Sequence, residues 1–370
     1  MKSVSELIAE LCPDGVSYIS LKEVAAIGTG SSNRNESTTE GTYPFYVRSK
    51  DVKRLDTFEF DETAIVIPGE GGVGDIFHYV EGKYALHQRA YRIAFQDERV
   101  IAKFAYYYLK VDFKVFILKK AVDGTVTSIR KPMIEDFRIP LPPLQVQREI
   151  VRILDTFTEL EAELEAELEA RKIQHSDFLR RIFNFSEGDQ VRWTEIGEVC
   201  STFSGAFVKK TEQDDDFEYP VFNGGSTATG YYSEFNSPEN SIAISARGSI
   251  GAVNWVPTKF WAGNSCHVVL ATNPGLSNRF LYHYLKFNEP SLYALRAVGS
   301  IPALNLKPLL KFPVPLPPLN LQIKISEVLD KFELLISDGS TGLSGEIAAR
   351  RQQYEYYRSK LLTFKELELA

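Results

Sequence analysis

The chain has 370 residues, of which 44% are hydrophobic and 25% charged, with a formal net charge of −7. That length supports two or three domains with cores of their own, and the apolar content excludes a mainly disordered protein. No apolar run approaches the ~18 residues a bilayer span requires, so no membrane role is expected. The acidic surplus predicts weak non-specific nucleic-acid binding by the isolated chain. Both globular stretches nevertheless come close to neutral, and part of the deficit sits in one glutamate-rich helical stretch. Phosphate neutralisation is local, acting within about 8–10 Å, so basic residues clustered on one face would suffice.

In chain order, residues 1–15 carry Glu6, Glu10 and Asp14 without a signal-type apolar stretch, which reads as cytoplasmic. Short β-rich runs follow, such as residues 64–67, separated by Gly, Asn and Asp turns. A short helix is expected over 104–110, then the proline hinge PLPPL, which stops any preceding element. A long helix over about 145–183 comes next. Its seam runs through Ile150, Leu154, Phe157, Leu160, Leu164 and Leu168 at coiled-coil spacing, with the tetrapeptide Glu-Ala-Glu-Leu twice in succession at 161–168.

The whole layout then recurs. Residues 139–160 match 314–335 at eleven of 22 positions. FAYYYLK at 104–110 mirrors FLYHYLK at 280–286, and IVIPGEGGVG at 65–74 mirrors IAISARGSIG at 242–251, with offsets of 175 to 177 throughout. One unit of about 175 residues is used twice. The second long helix, over about 320–364, has its seam at Leu329, Phe332, Leu343, Tyr354 and Tyr357. Gly339 and Gly342 weaken it by about 1 kcal/mol each. The expected fold is α+β: two similar mixed domains, 1–144 and 186–319, joined by two long antiparallel coiled-coil helices, 145–185 and 320–370.

Catalytic signatures are missing. There is no GxxxxGK[ST], HExxH or GxSxG, and no Asn/Asp-Pro-Pro-aromatic loop. Residues 69–74 formally match GxGxxG, but 75–80 read as a strand where a dinucleotide site needs a helix. Cys12, Cys200 and Cys266 lack metal or disulfide spacing and read as buried thiols. His87, His267 and His283 have no acid partner at fixed spacing, and Asp214, Asp215 and Asp216 read as a solvated loop.

What remains are loops dense in residue types that read bases and hold phosphates. In the first half these carry Ser31, Ser32, Asn33 and Arg34; Arg48 and Lys50; His87, Gln88 and Arg89; and Thr125, Thr127 and Arg130. Their counterparts are Lys209 and Lys210, Asn223, Arg247, Asn264, Ser300 and Lys307. A nucleotide-dependent enzyme using residues 69–74, or a coiled-coil scaffold without a DNA role, are the alternatives.

LCPDGV at 11–16, the doubled PLPPLxxQ leading into a long helix, the Glu-Ala-Glu-Leu tandem and the run from Arg350 to Arg358 entering LLTF resemble the specificity subunit of type I restriction–modification systems. The resemblance implies two target recognition domains, each gripping one half of a split asymmetric DNA site, with the helices as spacer. It implies two methyltransferase subunits docked on those helices, joined by translocase-nuclease subunits. S-adenosylmethionine, ATP and magnesium then belong to the partners, and this chain carries no catalytic centre, metal or cofactor.

Overall fold

A computed structural model describes residues 3–120, 128–185, 191–299, 301–336 and 342–367. The chain folds as two compact units, Met1–Glu165 with Ile347–Ala370, and Ala166–Glu346. Packing thus cuts across both long helices rather than at their ends.

Both units have the same sheet. In the first, four antiparallel strands take the order Ala25–Thr29, Ala90–Phe95, Ala64–Pro68, His78–Val80. In the second the order is Cys200–Ser204, Cys266–Ala271, Ser241–Ser245, Val253–Val256. The strands Ala64–Pro68 and Ser241–Ser245 are buried at every residue because both faces are covered. Side chains alternate along a strand, so Ile65 and Ile67 join the helical core with Phe104 and Leu109, while Ala64 and Val66 meet Tyr84 and Leu86 on the other side. Ile242 and Ile244 face Phe280 and Leu285, and Ala243 faces Phe260, in the same alternation.

That other side is a smaller sheet. Tyr43–Tyr46 runs parallel to Lys83–Leu86 and antiparallel to Lys53–Leu55; Tyr219–Phe222 runs parallel to Trp261–Ala262 and antiparallel to Tyr231–Tyr232.

The glycine-rich residues 69–74 close a hairpin between Ala64–Pro68 and His78–Val80. The strand is shorter than 75–80, but no helix follows, so a pyrophosphate cradle does not form. The nucleotide-enzyme alternative loses its basis there. Gly74 and its counterpart Gly251 adopt φ of 79° and 82°. A Cβ on Gly74 would meet the Lys114 side chain at 2.9 Å, and one on Gly251 the Tyr293 backbone at 2.9 Å. Helix and hairpin approach too closely for any side chain.

The helix expected over 104–110 extends across Ala102–Lys120, because Phe113 and Ile117 continue its buried face. Its counterpart spans Asn278–Phe287 and restarts at Glu289–Ala294, where Pro290 lacks the N–H needed to continue the first segment.

The first long helix is Leu144–Phe183, 40 residues and roughly 60 Å. The second comprises Leu319–Ile336 and Gly342–Leu361; Gly339 lies outside the described residues. In the first unit the Phe157 ring stacks on Tyr357 at 5.6 Å and meets Tyr354 at 6.2 Å, while Arg351 pairs with Glu161 and Glu165. Rising numbers on one helix meet falling numbers on the other, so the pair is antiparallel. In the second unit Phe332 touches His175 and Phe178 at 5.5 and 5.6 Å. Ile150, Leu154 and Leu329 are wholly buried in the cores of their own units, and Leu164, Leu168 and Leu343 are half-buried. The opening turns of each long helix are therefore core, and the helix–helix seam begins beyond them.

Each hinge ends in a buried amide. The proline stretch pairs as one strand of a two-stranded ribbon, Arg138–Pro140 with Tyr18–Ser20 and Pro313–Leu316 with Arg192–Glu195, a place where missing N–H groups are tolerated. Three residues into the helix, Gln147 and Gln322 are 0% exposed. The Gln147 Nε2 donates to the carbonyls of Arg99 and Pro142, both at 2.8 Å, and its Oε1 accepts from Ile101 N–H at 2.9 Å. Gln322 repeats this with Gly275, Pro317 and Ser277, each at 2.8 Å. Replacing Gln147 by Leu strands one N–H and two carbonyls in the core, and is expected to cost about 3 kcal/mol. Urea denaturation checks it, and an unchanged midpoint contradicts the clamp.

Candidate nucleic-acid interface

Three turns at one end of the two sheets form a rim in each unit. In the first they are residues 46–50, 69–72 and 87–89, tied together by His87 N–H to the Tyr46 carbonyl (2.9 Å) and Gly69 N–H to the Arg89 carbonyl (2.8 Å). The second unit repeats both bonds, Gly263 to Phe222 at 2.8 Å and Ala246 to Ser265 at 2.8 Å. The turns are equivalent, residue for residue, at offsets of 176 and 177.

In the first unit the rim borders an open cleft of about 450 Å³ lined by Arg34, Val47, Arg48, Ser49, Glu70, Gly71 and His87. Arg48 and Arg89 both reach Glu70 Oε1, Arg89 at 2.8 Å. The hydrogen bond from Arg89, helped by both positive charges, holds the Glu70 carboxyl below its ordinary range. His87 is buried; its Nδ1 accepts from Arg89 N–H at 3.0 Å. Burial, with the Arg48 and Arg89 charges, pushes its pKa down and keeps it neutral. Gln88 Nε2 donates to Asn33 Oδ1 at 2.5 Å. Ser31 and Ser32 are engaged by Glu59, at 2.8 Å to the Ser31 N–H and 2.6 Å from the Ser32 hydroxyl, which orients their loop. Arg130 is exposed, and its segment joins the rim through Ile129 N–H to the Gly69 carbonyl at 2.8 Å. Lys50 is exposed on the first turn. Thr125 and Thr127 lie outside the described residues.

In the second unit the rim carries Asn223, Arg247 and Asn264. Asn223 Oδ1 accepts from Ser265 N–H at 3.1 Å, bracing two turns, while Arg247 and Asn264 are exposed. Lys210 occupies the position of Arg34, each opening a short 3-10 turn, and its Nζ donates to the Thr229 carbonyl at 2.6 Å. Lys209 precedes it, exposed. Lys307 is exposed at the start of the short helix Leu306–Leu310, away from these three turns in sequence. Ser300 lies outside the described residues.

The residue that the loop composition missed is Glu70, which holds two of the proposed arginines. Its signal was present in the repeat: GEGG aligns with ARGS, a charge reversal at one position.

Comparison with known proteins bears directly on this layout. Residues 13–170 and 190–347 each match the family described as type I restriction modification DNA specificity domain. The chain belongs to this family. Among its relatives, a protein of Mycoplasma pneumoniae named as a type I specificity subunit is 24% identical, over 94% of this chain and 97% of its own length. The EcoR124I/EcoR124II specificity subunit of Escherichia coli is 29% identical over 74% and 73%. The crystal structure of a type I restriction–modification S subunit from M. genitalium shares the fold, with a TM-score of 0.70 at 19% identity, covering 96% of this chain and 97% of that one.

As a type I specificity subunit, the chain has three further features to account for. His283, 3% exposed, lies 2.7 Å from Asp330 and 3.7 Å from Glu333. These acid partners, 47 and 50 residues away, were not visible from local spacing. The three could ligate a cation in principle, but the Arg279 guanidinium already bridges both carboxylates, at 2.7 and 3.1 Å. The first unit has the equivalent joint, where Tyr107 donates to Asp155 at 2.5 Å and Lys103 pairs with it at 3.1 Å. Both joints fasten a domain helix to a long helix. The three cysteines are free and buried; burial raises each thiol, Cys200 and Cys266 to about 12, so none is poised as a nucleophile. Asp214, Asp215 and Asp216 are exposed, as expected of a solvated loop.

His267 secures the second rim from beneath. Its Nε2 donates to the Leu304 carbonyl at 2.7 Å, and its Nδ1 accepts from the Ser204 hydroxyl at 3.0 Å; Leu304 N–H in turn bonds Ala246 at 2.9 Å, beside Arg247. Burial lowers the His267 pKa below the 6.5 of an unfolded chain. Above that value both states are neutral; below it the unfolded state alone takes up the proton, so stability falls with pH. The melting temperature is expected to drop between pH 7.5 and 5.5, and His267→Gln to make that slope shallower. An identical slope in the variant rules out His267 as a contributor.

Proposed function

We propose that each unit reads one half of a split, asymmetric DNA site through its rim, and that the long helices set the unread gap and dock methyltransferase subunits. The observation that carries this reading is one scaffold with two sets of side chains. Arg34, Arg48, Glu70 and Arg89 in the first unit stand where Lys210, Gly224, Arg247 and Ser265 stand in the second. Identical turns with unlike polar groups are what two different base sequences require. Chemistry is left to partners: methyltransferase subunits using S-adenosylmethionine and translocase-nuclease subunits using ATP and magnesium, all in the cytoplasm. Among the described residues no helix is long and apolar enough to cross a membrane.

Co-expressing the chain with its methyltransferase subunits and sequencing the host methylome tests this. A bipartite motif with unlike halves is expected only when the chain is present; methylation independent of it contradicts the reading. Inserting a third Glu-Ala-Glu-Leu after residue 168 lengthens the helix by about 6 Å. At ~3.4 Å per base pair, the gap is expected to widen by one or two pairs while both half-sites persist. A gap that stays constant removes the spacer role.

A further inference from the structure

Positions 70 and 247 are one place in the repeat. Beyond the Gly69–Arg89 and Ala246–Ser265 bonds already given, Ile129 N–H meets the Gly69 carbonyl at 2.8 Å as Leu304 N–H meets Ala246 at 2.9 Å. One unit puts a carboxylate at this place and the other a guanidinium.

A carboxylate on a surface that faces a polyanion repels phosphate, so it is tolerated only where it meets a hydrogen-bond donor. Arg48 and Arg89 contact the same oxygen of Glu70, Oε1. Among the described residues Oε2 has no partner, and Glu70 lines the open cleft with its side chain about 30% exposed. The two arginines therefore orient the carboxylate and leave one oxygen able to accept. In the major groove the donors on base edges are the exocyclic amines, N4 of cytosine and N6 of adenine, whereas guanine offers two acceptors, O6 and N7. The Arg247 side chain is exposed and has no partner among the described residues, so its fork is free to donate.

We propose that Glu70 is a base-reading residue whose Oε2 accepts a hydrogen bond from an exocyclic amine of cytosine or adenine, and that Arg247 at the same place donates to guanine. This single charge reversal then contributes a defined difference between the two half-sites. Arg48 and Arg89 act on it as positioning residues. The inference rests on the DNA-reading function proposed above.

The test uses the full chain co-expressed with its methyltransferase subunits, as wild type and as Glu70→Gln, Glu70→Ala and Arg247→Ala. Methylome sequencing is expected to show Glu70→Ala losing discrimination roughly tenfold at one base pair of one half-site, with the other half-site intact, and Glu70→Gln, which keeps one acceptor oxygen but adds a donor, altering the preference at that same pair. Arg247→Ala is expected to lose discrimination likewise in the opposite half-site, at a guanine. Unchanged motifs for both Glu70 variants overturn the proposal, as does an equal fall in methylation at cognate and singly mismatched sites. Where a Glu70 variant abolishes methylation, purified complexes are compared for melting temperature and for binding to cognate duplex against duplexes randomised in that half-site. Lost preference at an unchanged melting temperature supports the proposal; retained preference overturns it. A wild-type complex with no bipartite motif fails differently, removing the DNA-reading function itself.

Discussion

Two buried glutamine side chains hold the molecule's parts in register. A primary amide with no solvent exposure is costly unless its hydrogen bonds are met, and Gln147 and Gln322 each meet three, all with backbone groups. The partners are the proline hinge just before the helix and the loop that starts the domain helix, some 45 residues upstream. The clamp therefore fixes where a long helix begins relative to the domain it leaves. The joints further along, Lys103 and Tyr107 on Asp155 in one unit and Arg279 and His283 on Asp330 in the other, fasten the same pairs of helices two turns on. The hinge motif PLPPLxxQ is thus a single device: prolines that refuse to continue a helix backwards, and an amide that anchors the helix forwards.

Above that anchor the architecture divides by task. Ala64–Pro68 and Ser241–Ser245 are sealed on both faces, so their residues answer to packing and to internal hydrogen bonds. At the end of the same strands the chain turns through glycines at positive φ and emerges as a rim whose geometry is set by backbone hydrogen bonds. Since the bonds that flank positions 70 and 247 use main-chain groups, the side chains at those two positions can differ without reshaping the turn. Glu70 and Arg247 illustrate this: opposite charges on turns tied by the same pair of backbone bonds, Gly69 to Arg89 and Ile129 in one unit, Ala246 to Ser265 and Leu304 in the other.

Much of this was legible in the sequence because the chain states it twice. The repeat, the hinges and the long helices all have local signatures, and the glycine hairpin was separable from a nucleotide loop because a strand follows it. The unread parts depend on distant partners. Tyr43–Tyr46 pairs in parallel with Lys83–Leu86 across some forty residues, and no periodicity announces such a match. The short amino-terminal helix Val4–Leu11 is not among the expected elements, although the Ser3–Glu6 capping box that opens it is visible in the sequence. Spacing gives the seam as one continuous stripe, yet Ile150, Leu154 and Leu329 serve domain cores while Phe157 and Phe332 serve helix pairing. Helical spacing shows that a face is apolar and is silent on what covers it.

The contrast between clamp and joint shows which features the two halves had to share. The amide clamp is the same residue with the same three bonds in both units, because its partners are backbone groups that every sequence supplies. The joint keeps only its geometry: a cation and an aromatic ring on the domain helix meeting an aspartate on the long helix, with lysine and tyrosine in one unit, arginine and histidine in the other, and Glu333 added where Thr158 stands in the first. Pairs of half-exposed charges contribute little individually, so such a joint tolerates exchange of its members. An amide with no exposure does not. Interactions that use main-chain partners are thereby those that can stay the same beneath two divergent rims, and those built from paired side chains are free to drift with the unit they support.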